Sequence, residues 1–541
     1  MLLPRGPSIL RPALCRFPLA GSKDAAGSCW EGERAVESDM SDPWELLTQH
    51  ARGLLRLMVG VVVGAHLVYW FYAPYNDDEG MYLYVSRLAL EGKLLYRDTP
   101  FHQFPLLPYF YGAVLEPLGG GLYLGRLLSV VLSVSAFLLL LPVARVVAGE
   151  GGAVCYALLF GLNFWALSNM VRVKHYALTT LFLSLGVYVL LAYNGRKSVK
   201  IVGALLAFGL AASSRISTLP VLVLAYVYLL RRERENRRAV WMTHAMVACS
   251  LVLIFSYAFL VPFSSFFSWT FRVNLSSYKR RGLYRFFTRQ LQVFRGLVIF
   301  RIPSMAILLL LSLRRVFGQW QLRIRSAWAS PSPTIFLAAV SITLFVVHFF
   351  VGQIAEDYHV NYLPLVAILA ARAFHDLARE ARQRHRVSGF SRLSLVLALL
   401  TVVTGVRYGF LKKDAFQIPS TLSPFYVEAA VMARRTSPQG AEVLTFDTIV
   451  PYLAHREVTH GLEYGHWTYR PGVSDAEARG RHLLNAAGAR SLILSHRAQA
   501  VQEYFLGRLL RESDPDGAVV AAVREYYVKD RGYYYLAASG R

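Results

Sequence analysis

The chain has 541 residues, of which 55% are hydrophobic, and a mean hydropathy of +0.37. This apolar content is too high for a soluble protein of the same length and indicates a multi-spanning membrane protein. The formal net charge of +24 does not indicate a nucleic-acid partner. Most of the basic residues lie in short loops between apolar segments, where they determine membrane topology.

The first part of the chain lacks the pattern of a signal peptide. Residues 1–39 are rich in Gly, Pro, Ser and Ala and precede Met40-Ser-Asp-Pro-Trp, which resembles an ordinary protein start. We therefore interpret residues 1–52 as a disordered or mis-started segment followed by a cytoplasmic lead-in.

Apolar segments that can cross a bilayer, singly or as broken pairs, fill residues 53–410. They lie at about 53–73, 122–147, 152–170, 174–193, 199–214, 217–230, 241–262, 294–312, 334–352, 359–377 and 393–410. This pattern predicts an α-helical polytopic membrane domain with about eleven spans. The fifth and sixth segments are short and meet at Arg215, so 10 to 13 spans are possible.

The loop charges predict which segments lie outside. Basic clusters at 231–238 and 372–392 are cytoplasmic by the positive-inside rule. An odd number of spans then places the first outer loop, 75–121, and residues 411–541 on the extracytoplasmic face. The active site and the C-terminal domain are therefore expected on one side.

Residues 411–541 alternate short strand-like runs with helical patterns, which predicts a small C-terminal α/β domain. The predicted strands include 442–446 and 491–495, and Ser474 with Glu477 has the spacing of a capping box. Four histidines match no metal template and are interpreted as surface residues. They are His455, His460, His466 and His482.

The first outer loop begins with three acids, Asp77, Asp78 and Glu79, directly after an apolar segment. The helical spacing of apolar residues after them predicts a short amphipathic helix along the membrane surface that ends near Gly92. Asn76 and Glu79 have capping-box spacing, so one interpretation is helix capping alone. The other is a general base at the membrane surface, and one acid can cap while its neighbour reacts.

Basic residues also occur on the predicted outer face, against the charge rule. The segment 263–295 is basic and aromatic, which suits either a helix anchored by lipid head groups or a site for an anionic ligand. Arg172, Lys174, Arg215 and the run 356–359 fall at the same membrane level. Each alone is typical of a helix end, but together they favour a polar, phosphate-binding outer cavity.

Several motifs of the first outer loop, and one at the start of the second span, resemble one family. They are Asp78-Glu-Gly-x-Tyr82, Tyr96-Arg-Asp98, His102-Gln-Phe-Pro105 and Gly125-Arg126. They resemble the bacterial protein O-mannosyltransferases and aminoarabinose lipid A transferases, which are membrane glycosyltransferases of the GT-C fold in family 39 and its relatives.

This resemblance implies transfer of a sugar from a polyprenyl-phosphate donor, with inversion, to a lipid, glycan or protein acceptor on the outer face of the cell (inner) membrane. Carried over by position, Asp78 activates the acceptor and Glu79 is its partner. The expected phosphate-binding residues are Arg172, Lys174, Arg215, Arg272, Lys279, Arg280 and Arg281. The expected substrate cavity includes Asp77, Tyr82, His102, Gln103, Tyr358 and His359.

The sequence departs from the family at 102–105, where lipid A transferases have Glu-Lys-Pro-Pro and this chain has His102-Gln103-Phe104-Pro105. The lysine that this family places at the donor phosphate is thus missing. A divalent metal ion is a possible cofactor, and the sequence identifies no other. The expected partners are the donor lipid, membrane lipids and an acceptor of unknown class. The alternative is a flippase or transporter of lipid-linked saccharides, although the internal repeats typical of transporters are not found.

Overall fold

The computed structural model describes residues 49–272, 283–318, 332–350, 356–384, 387–411, 423–437 and 442–537. Residues 43–541 form one compact unit. The predicted N-terminal segment lies outside the described residues up to position 48.

The described residues between positions 49 and 411 are mostly helical. The helices are α1 (Ala51–Tyr72), α2 (Asp77–Leu90), α3 (Leu106–Leu115), α4 (Leu122–Gly161), α5 (Phe164–Val171), α6 (His175–Leu191), α7 (Lys197–Ser214), α8 (Leu219–Arg232), α9 (Arg237–Phe255), α10 (Phe263–Phe267), α11 (Leu283–Gly296), α12 (Pro303–Gly318), α13 (Pro333–Phe350), α14 (Leu363–Gln383) and α15 (Val387–Val406). A 3₁₀ segment, Glu356–Tyr362, precedes α14.

The predicted polytopic helical fold is confirmed. Among the described residues, six helices are long and apolar enough to cross a membrane, or eight if each of two bent helix pairs is one span. One bent pair is α5 and α6, which meet at 109°. This count is below the predicted eleven partly because α8 has only 14 residues, about 21 Å of helix, whereas the hydrocarbon core is about 30 Å thick.

The 40-residue α4 contains a sharp reversal. Gly149 has φ 72° and ψ −174°, a conformation that essentially only glycine adopts. The rings of Phe137 and Tyr156 stack with centroids 5.5 Å apart, although 19 residues of straight helix would separate them by about 28 Å. The chain therefore turns back at Gly149, as the separately predicted segments 122–147 and 152–170 require.

The C-terminal part is a small α/β unit, as predicted. Its elements are α16 (Ser423–Arg435), β1 (Glu442–Leu444), α17 (Ile449–Ala454), β2 (Glu457–Val458), α18 (Asp475–Gly480), α19 (Ala486–Leu494), β3 (Ala498–Gln502), α20 (Glu503–Ser513), α21 (Ala518–Tyr526), β4 (Tyr527–Asp530) and β5 (Tyr533–Leu536). The sheet order is β2-β1-β3-β5-β4. β1 is parallel to β2 and β3, and β5 is antiparallel to β3 and β4.

One predicted strand is wrong. Residues 491–494 belong to α19, because Asn485 caps this helix by accepting a hydrogen bond from Gly488 N at 2.8 Å. The strand follows at Ala498–Gln502. A short apolar run does not by itself distinguish a strand from a buried helix face.

Helix α2 is buried from Glu79 to Ala89, so the predicted amphipathic surface helix is instead enclosed on all sides. The C-terminal unit covers it: Val458 N donates to Tyr84 Oη at 2.8 Å, and Arg87 Nη1 donates to Tyr452 O at 2.8 Å. A Cβ at Gly80 would lie 2.8 Å from Ile449 N, so glycine permits this close approach. Apolar residues on several faces of α2 suit a buried helix better than an interfacial one.

Candidate active site

The start of α2 is fixed by the predicted capping box. Asp78 N donates to Asn76 Oδ1 at 3.1 Å, and Asn76 N donates to Glu79 Oε2 at 3.2 Å. Asp77 is exposed, Asp78 is partly exposed and Glu79 is buried. The three adjacent acids therefore occupy three different environments.

Glu79 is sealed in an ion pair with Arg126 of α4, and both side chains are 0% exposed. Arg126 donates from Nε to Oε1 at 2.8 Å and from Nη2 to Oε2 at 2.6 Å, and Val173 N donates to Oε1 at 3.1 Å. Burial raises the pKa of Glu79, but the charge and hydrogen bonds of Arg126 outweigh burial and hold it below its usual value. Its oxygens are thus fully used in joining α2 to α4 and to the segment 172–174.

Asp78 is in a more open ionic group. Its Oδ2 lies 2.8 Å from Lys174 Nζ, and the Asp78 side chain is 34% exposed, against 4% for Lys174. Lys174 Nζ also lies 3.4 Å from Asp357 Oδ2. One ammonium therefore bridges two carboxylates, and only that of Asp78 was a predicted catalytic group.

Two arginines bring further positive charge to this region. Arg215, at the break between α7 and α8, is 4% exposed and packs over the rings of Tyr176 and Tyr358, 5.6 and 4.6 Å from their centroids. Among the described residues its Nη1 is buried without a hydrogen-bond partner, as is Nε of Arg172. Both arginines lie at helix breaks, where the sequence predicted helix ends, and both retain a donor that a ligand can use.

The C-terminal unit closes the other side of the region. His102 packs edge-on against Tyr464, with centroids 4.9 Å apart, and lies 5.6 Å from Trp467. Burial lowers the pKa of His102 to about 4, so the ring is neutral at pH 7. Tyr82 Oη lies 3.3 Å from His175 Nδ1. Predicted loop residues and the C-terminal unit are thus in contact.

The remaining predicted site residues are more dispersed. Gln103 is partly buried, and its carbonyl accepts a hydrogen bond from Tyr96 Oη at 2.5 Å. His359 is buried and its Nδ1 lies 2.5 Å from Tyr362 Oη. Arg272 is exposed. Lys279, Arg280 and Arg281 lie outside the described residues.

Sequence reasoning missed several groups. Asp357, Tyr464 and Trp467 were given no role of their own, although the run 356–359 was predicted to lie at the outer polar face. The partnership of Arg126 with Glu79 was also missed, despite the Gly125-Arg126 motif. Each of these contacts joins residues far apart in the chain.

The acidic residues of this region are not arranged as a metal site. Within the described ranges, no group of three or more His, Cys, Asp or Glu side chains is placed to hold a metal ion. The carboxylates of Asp78 and Asp357 share the ammonium group of Lys174, which lies 2.8 and 3.4 Å from them. A lysine between two carboxylates is not a ligand set for a divalent ion.

No protein-family model matches the chain, and no curated protein sequence matches it. Solved structures do resemble it. ArnT from Cupriavidus metallidurans bound to undecaprenyl phosphate has a TM-score of 0.56 at 14% identity, covering 90% of this chain and 98% of that one. The Archaeoglobus fulgidus oligosaccharyltransferase tethered to an acceptor peptide has a TM-score of 0.55 at 12% identity, covering 92% and 75%.

These likenesses confirm the GT-C fold that the sequence motifs predicted. The chain is a multi-pass membrane protein with the architecture of these membrane glycosyltransferases, followed by a small α/β unit. At 12–14% identity the likeness defines the fold, and the chemistry must be argued from the site itself.

Proposed function

We propose that this protein is an inverting membrane glycosyltransferase that moves a sugar from a polyprenyl-phosphate donor to a lipid, glycan or protein acceptor. The proposed location is the cell (inner) membrane, with the active site and the C-terminal domain on the extracytoplasmic face. Asp78 is the proposed general base, with Glu79 as a positioning residue.

This proposal is carried by one observation: an accessible carboxylate lies near cationic side chains that still have hydrogen-bond donors available for a ligand. Asp78 is 34% exposed beside Lys174, whereas Arg172 and Arg215 each have a buried nitrogen that finds no hydrogen-bond partner in the part of the chain that the structure describes. Arg172, Lys174 and Arg215 carry three positive charges against the two of Asp78 and Asp357. The uncompensated charge suits a phosphate, which arginine binds well.

In the proposed reaction, the Asp78 carboxylate accepts the proton of the acceptor hydroxyl. The acceptor oxygen forms a bond to the anomeric carbon on the face opposite the phosphate, and the anomeric C–O bond to the phosphate breaks. The bonding electrons leave with the lipid phosphate. Arg172, Lys174 and Arg215 stabilise the negative charge that develops on it.

The ion pair of Glu79 and Arg126 positions these groups relative to one another. Glu79 is adjacent to Asp78 in α2 and accepts a hydrogen bond from Val173 N at 3.1 Å, between the two cationic residues at 172 and 174. The Glu79 carboxylate therefore fixes the position of Asp78 relative to the proposed phosphate-binding segment 172–174. In this proposal Arg272, Lys279, Arg280 and Arg281 add positive charge that favours binding of the phosphate donor.

The ligands named for the similar structures support this chemistry. ArnT was solved with undecaprenyl phosphate, a polyprenyl phosphate of the kind that the proposed reaction releases. The oligosaccharyltransferase carries a tethered acceptor peptide. Because one fold serves different acceptors, the sugar and acceptor of this chain must be found by experiment.

The direct experiment incubates the purified protein with a panel of radiolabelled polyprenyl-phosphate sugars and measures release of the lipid phosphate. We expect release of lipid phosphate from one of these donors, and we expect this release to depend on Asp78. A flippase would instead move the intact donor between leaflets of a vesicle without releasing lipid phosphate, and that result would contradict transferase chemistry.

Reporter fusions test the proposed orientation. Alkaline phosphatase joined after Gly121 or after Arg541 is expected to be active, because the basic clusters at 231–238 and 372–392 are assigned to the cytoplasm. An inactive fusion at either position would contradict the extracytoplasmic location of that segment.

A further inference from the structure

The C-terminal unit contains a cavity of about 370 Å³ that the proposed chemistry does not use. This volume lies within the range of roughly 300–1,000 Å³ typical of small-molecule sites. Asp447 and Val450, which follow β1, and Gln502, Glu503 and Tyr504, at the end of β3, line it. The cavity therefore opens where the parallel strands β1 and β3 end.

The order of the strands places this cavity at a position where α/β sheets commonly bind ligands. β1 connects to β2 on one side, and the chain then returns to form β3 on the other side of β1. The carboxyl ends of β1 and β3 thus enclose a topological switch point. Ligands of open α/β sheets bind in the crevice at such a point.

The polar groups facing this cavity include both acceptors and donors. Asp447 Oδ1 accepts from Tyr75 Oη at 2.7 Å and from Ile449 N at 3.2 Å, and Oδ2 has no partner among the described residues. Gln502 Oε1 accepts from Phe446 N at 3.0 Å, which fixes the amide orientation and leaves Nε2 as a free donor. The Glu428 carboxylate adds further acceptors.

These groups distinguish between ligand classes. The cavity lining contains three carboxylates and, within the described residues, neither lysine nor arginine. Glu503 pairs with Lys529 at 2.6 Å, which leaves the carboxyl groups of Glu428 and Asp447, and this lining disfavours a phosphate. An ammonium group has only donors and leaves Gln502 Nε2 unused. Sugar hydroxyls both donate and accept, so they match the whole set. The Tyr504 ring, 68% exposed, offers an apolar face for a sugar ring.

We propose that this switch-point cavity is a carbohydrate-binding site that holds a sugar unit of the acceptor. This inference rests on the proposed function, because only a transferase reaction makes the bound sugar part of an acceptor. Tyr75, which donates to Asp447, is three residues before Asp78 in the chain, and its ring lies 4.5 Å from that of Phe425 in the cavity lining. A glycan bound here extends toward the start of α2, where the proposed base lies.

The test uses the full-length protein in lipid nanodiscs and saturation-transfer NMR titrations. The probes are cellobiose, maltose, α-1,6-mannobiose and N,N′-diacetylchitobiose, with spermidine and inorganic phosphate as charged probes. At least one disaccharide is expected to bind, and Tyr504→Ala should weaken it about 2- to 10-fold by removing the stacking surface. Gln502→Leu should weaken it to a similar extent by removing a hydrogen bond.

The matched control is Tyr526→Ala, which removes a tyrosine that is 39% exposed on α21, where its ring packs against His496 rather than the cavity. Binding should be unchanged in this variant. Failure of all four disaccharides to bind, equal affinity in wild type and both cavity variants, or preferential binding of spermidine or phosphate at these residues would overturn the inference.

The failure of this inference is distinguishable from failure of the proposed function. Asp78→Asn should abolish transfer but preserve disaccharide binding. Binding that depends on Tyr504, in a protein that releases no lipid phosphate from any donor, would refute the transferase and retain the sugar site. Transfer with an acceptor KM unchanged by Tyr504→Ala would refute the sugar site alone.

Discussion

Two ionic groups at the start of α2 differ in how they meet solvent. The pair of Glu79 and Arg126 is completely sealed, and all Glu79 oxygens have partners. The group of Asp78, Lys174 and Asp357 leaves a third of the Asp78 side chain exposed. Adjacent residues thus serve different purposes: a sealed pair fixes the geometry, and an open carboxylate beside it remains available for a reaction.

The largest expected effect comes from the open group. Asp78→Asn should reduce sugar transfer by roughly 10²–10⁴, the usual contribution of a general base, while the amide preserves the shape of the side chain. Donor turnover measures the loss, and thermal unfolding in detergent checks that the fold persists.

Asp77→Asn is the matched control, since Asp77 is exposed and is the neighbouring acid of the same helix turn. Its transfer rate should stay near that of wild type. If Asp77→Asn were inactive and Asp78→Asn active, the base would be one residue away from the proposed position.

The buried ion pair of Glu79 and Arg126 should instead contribute to the free energy of unfolding. Glu79→Gln or Arg126→Met leaves the other charge buried without its partner, which typically costs about 3–5 kcal/mol. Denaturant or thermal unfolding should register this loss. The double variant should lose less than the sum of the two single variants, whereas simple additivity would show that the pair does not act as a unit.

Removal of Arg215 should affect donor binding. Arg215→Met preserves much of the packing against Tyr176 and Tyr358 but removes the unpartnered donor, so the donor KM should rise about tenfold or more, as expected for loss of a charged hydrogen bond. Arg145→Met, at an exposed ion pair with Glu150, serves as the control. Equal donor KM values in the two variants would remove Arg215 from the phosphate site.

A small pH effect is expected in the C-terminal unit. The hydrogen bond and charge of Glu463, outweighing partial burial, raise the pKa of His460 above its usual value. The protonated histidine therefore stabilises the fold below pH about 6.5, and this contribution is lost as pH rises through the folded-state pKa. The side chain is 64% exposed, so the effect should be only about 0.2–1 kcal/mol.

The pH dependence of thermal unfolding tests this effect in wild type and His460→Gln. The difference in midpoint between pH 5.5 and pH 8 should be smaller in the variant. Identical pH profiles would mean that the contact with Glu463 contributes no measurable stability.

Local patterns predicted much of this molecule. The capping box at Asn76, the helix ends near Arg172 and Arg215 and the reversal near Gly149 all depend on neighbouring residues, so a single sequence indicates them. The enclosure of α2, the pairing of Glu79 with Arg126 and the contact of His102 with Tyr464 join distant segments. Hydrophobic periodicity shows that a residue is buried, but not which segment covers it.

The incorrect prediction of a strand at 491–495 also arises because a local pattern does not identify the packing partner. Its apolar residues fit either a strand or a buried helix face, and the decision came from the Asn485 cap and from packing within the C-terminal unit. Asp357 is the corresponding case in the site. The acidic pair Glu356-Asp357 beside a span does not indicate which cation it contacts, and the structure places Lys174 Nζ 3.4 Å from Asp357 Oδ2.

The most direct test of the central claim is a cryo-EM structure of the protein in nanodiscs with undecaprenyl phosphate. We expect phosphate density within hydrogen-bond distance of Arg215 Nη1 and Arg172 Nε, two of the buried donors that have no hydrogen-bond partner among the described residues. Phosphate bound only to the basic segment 263–295, with Arg172 and Arg215 unliganded, would contradict it.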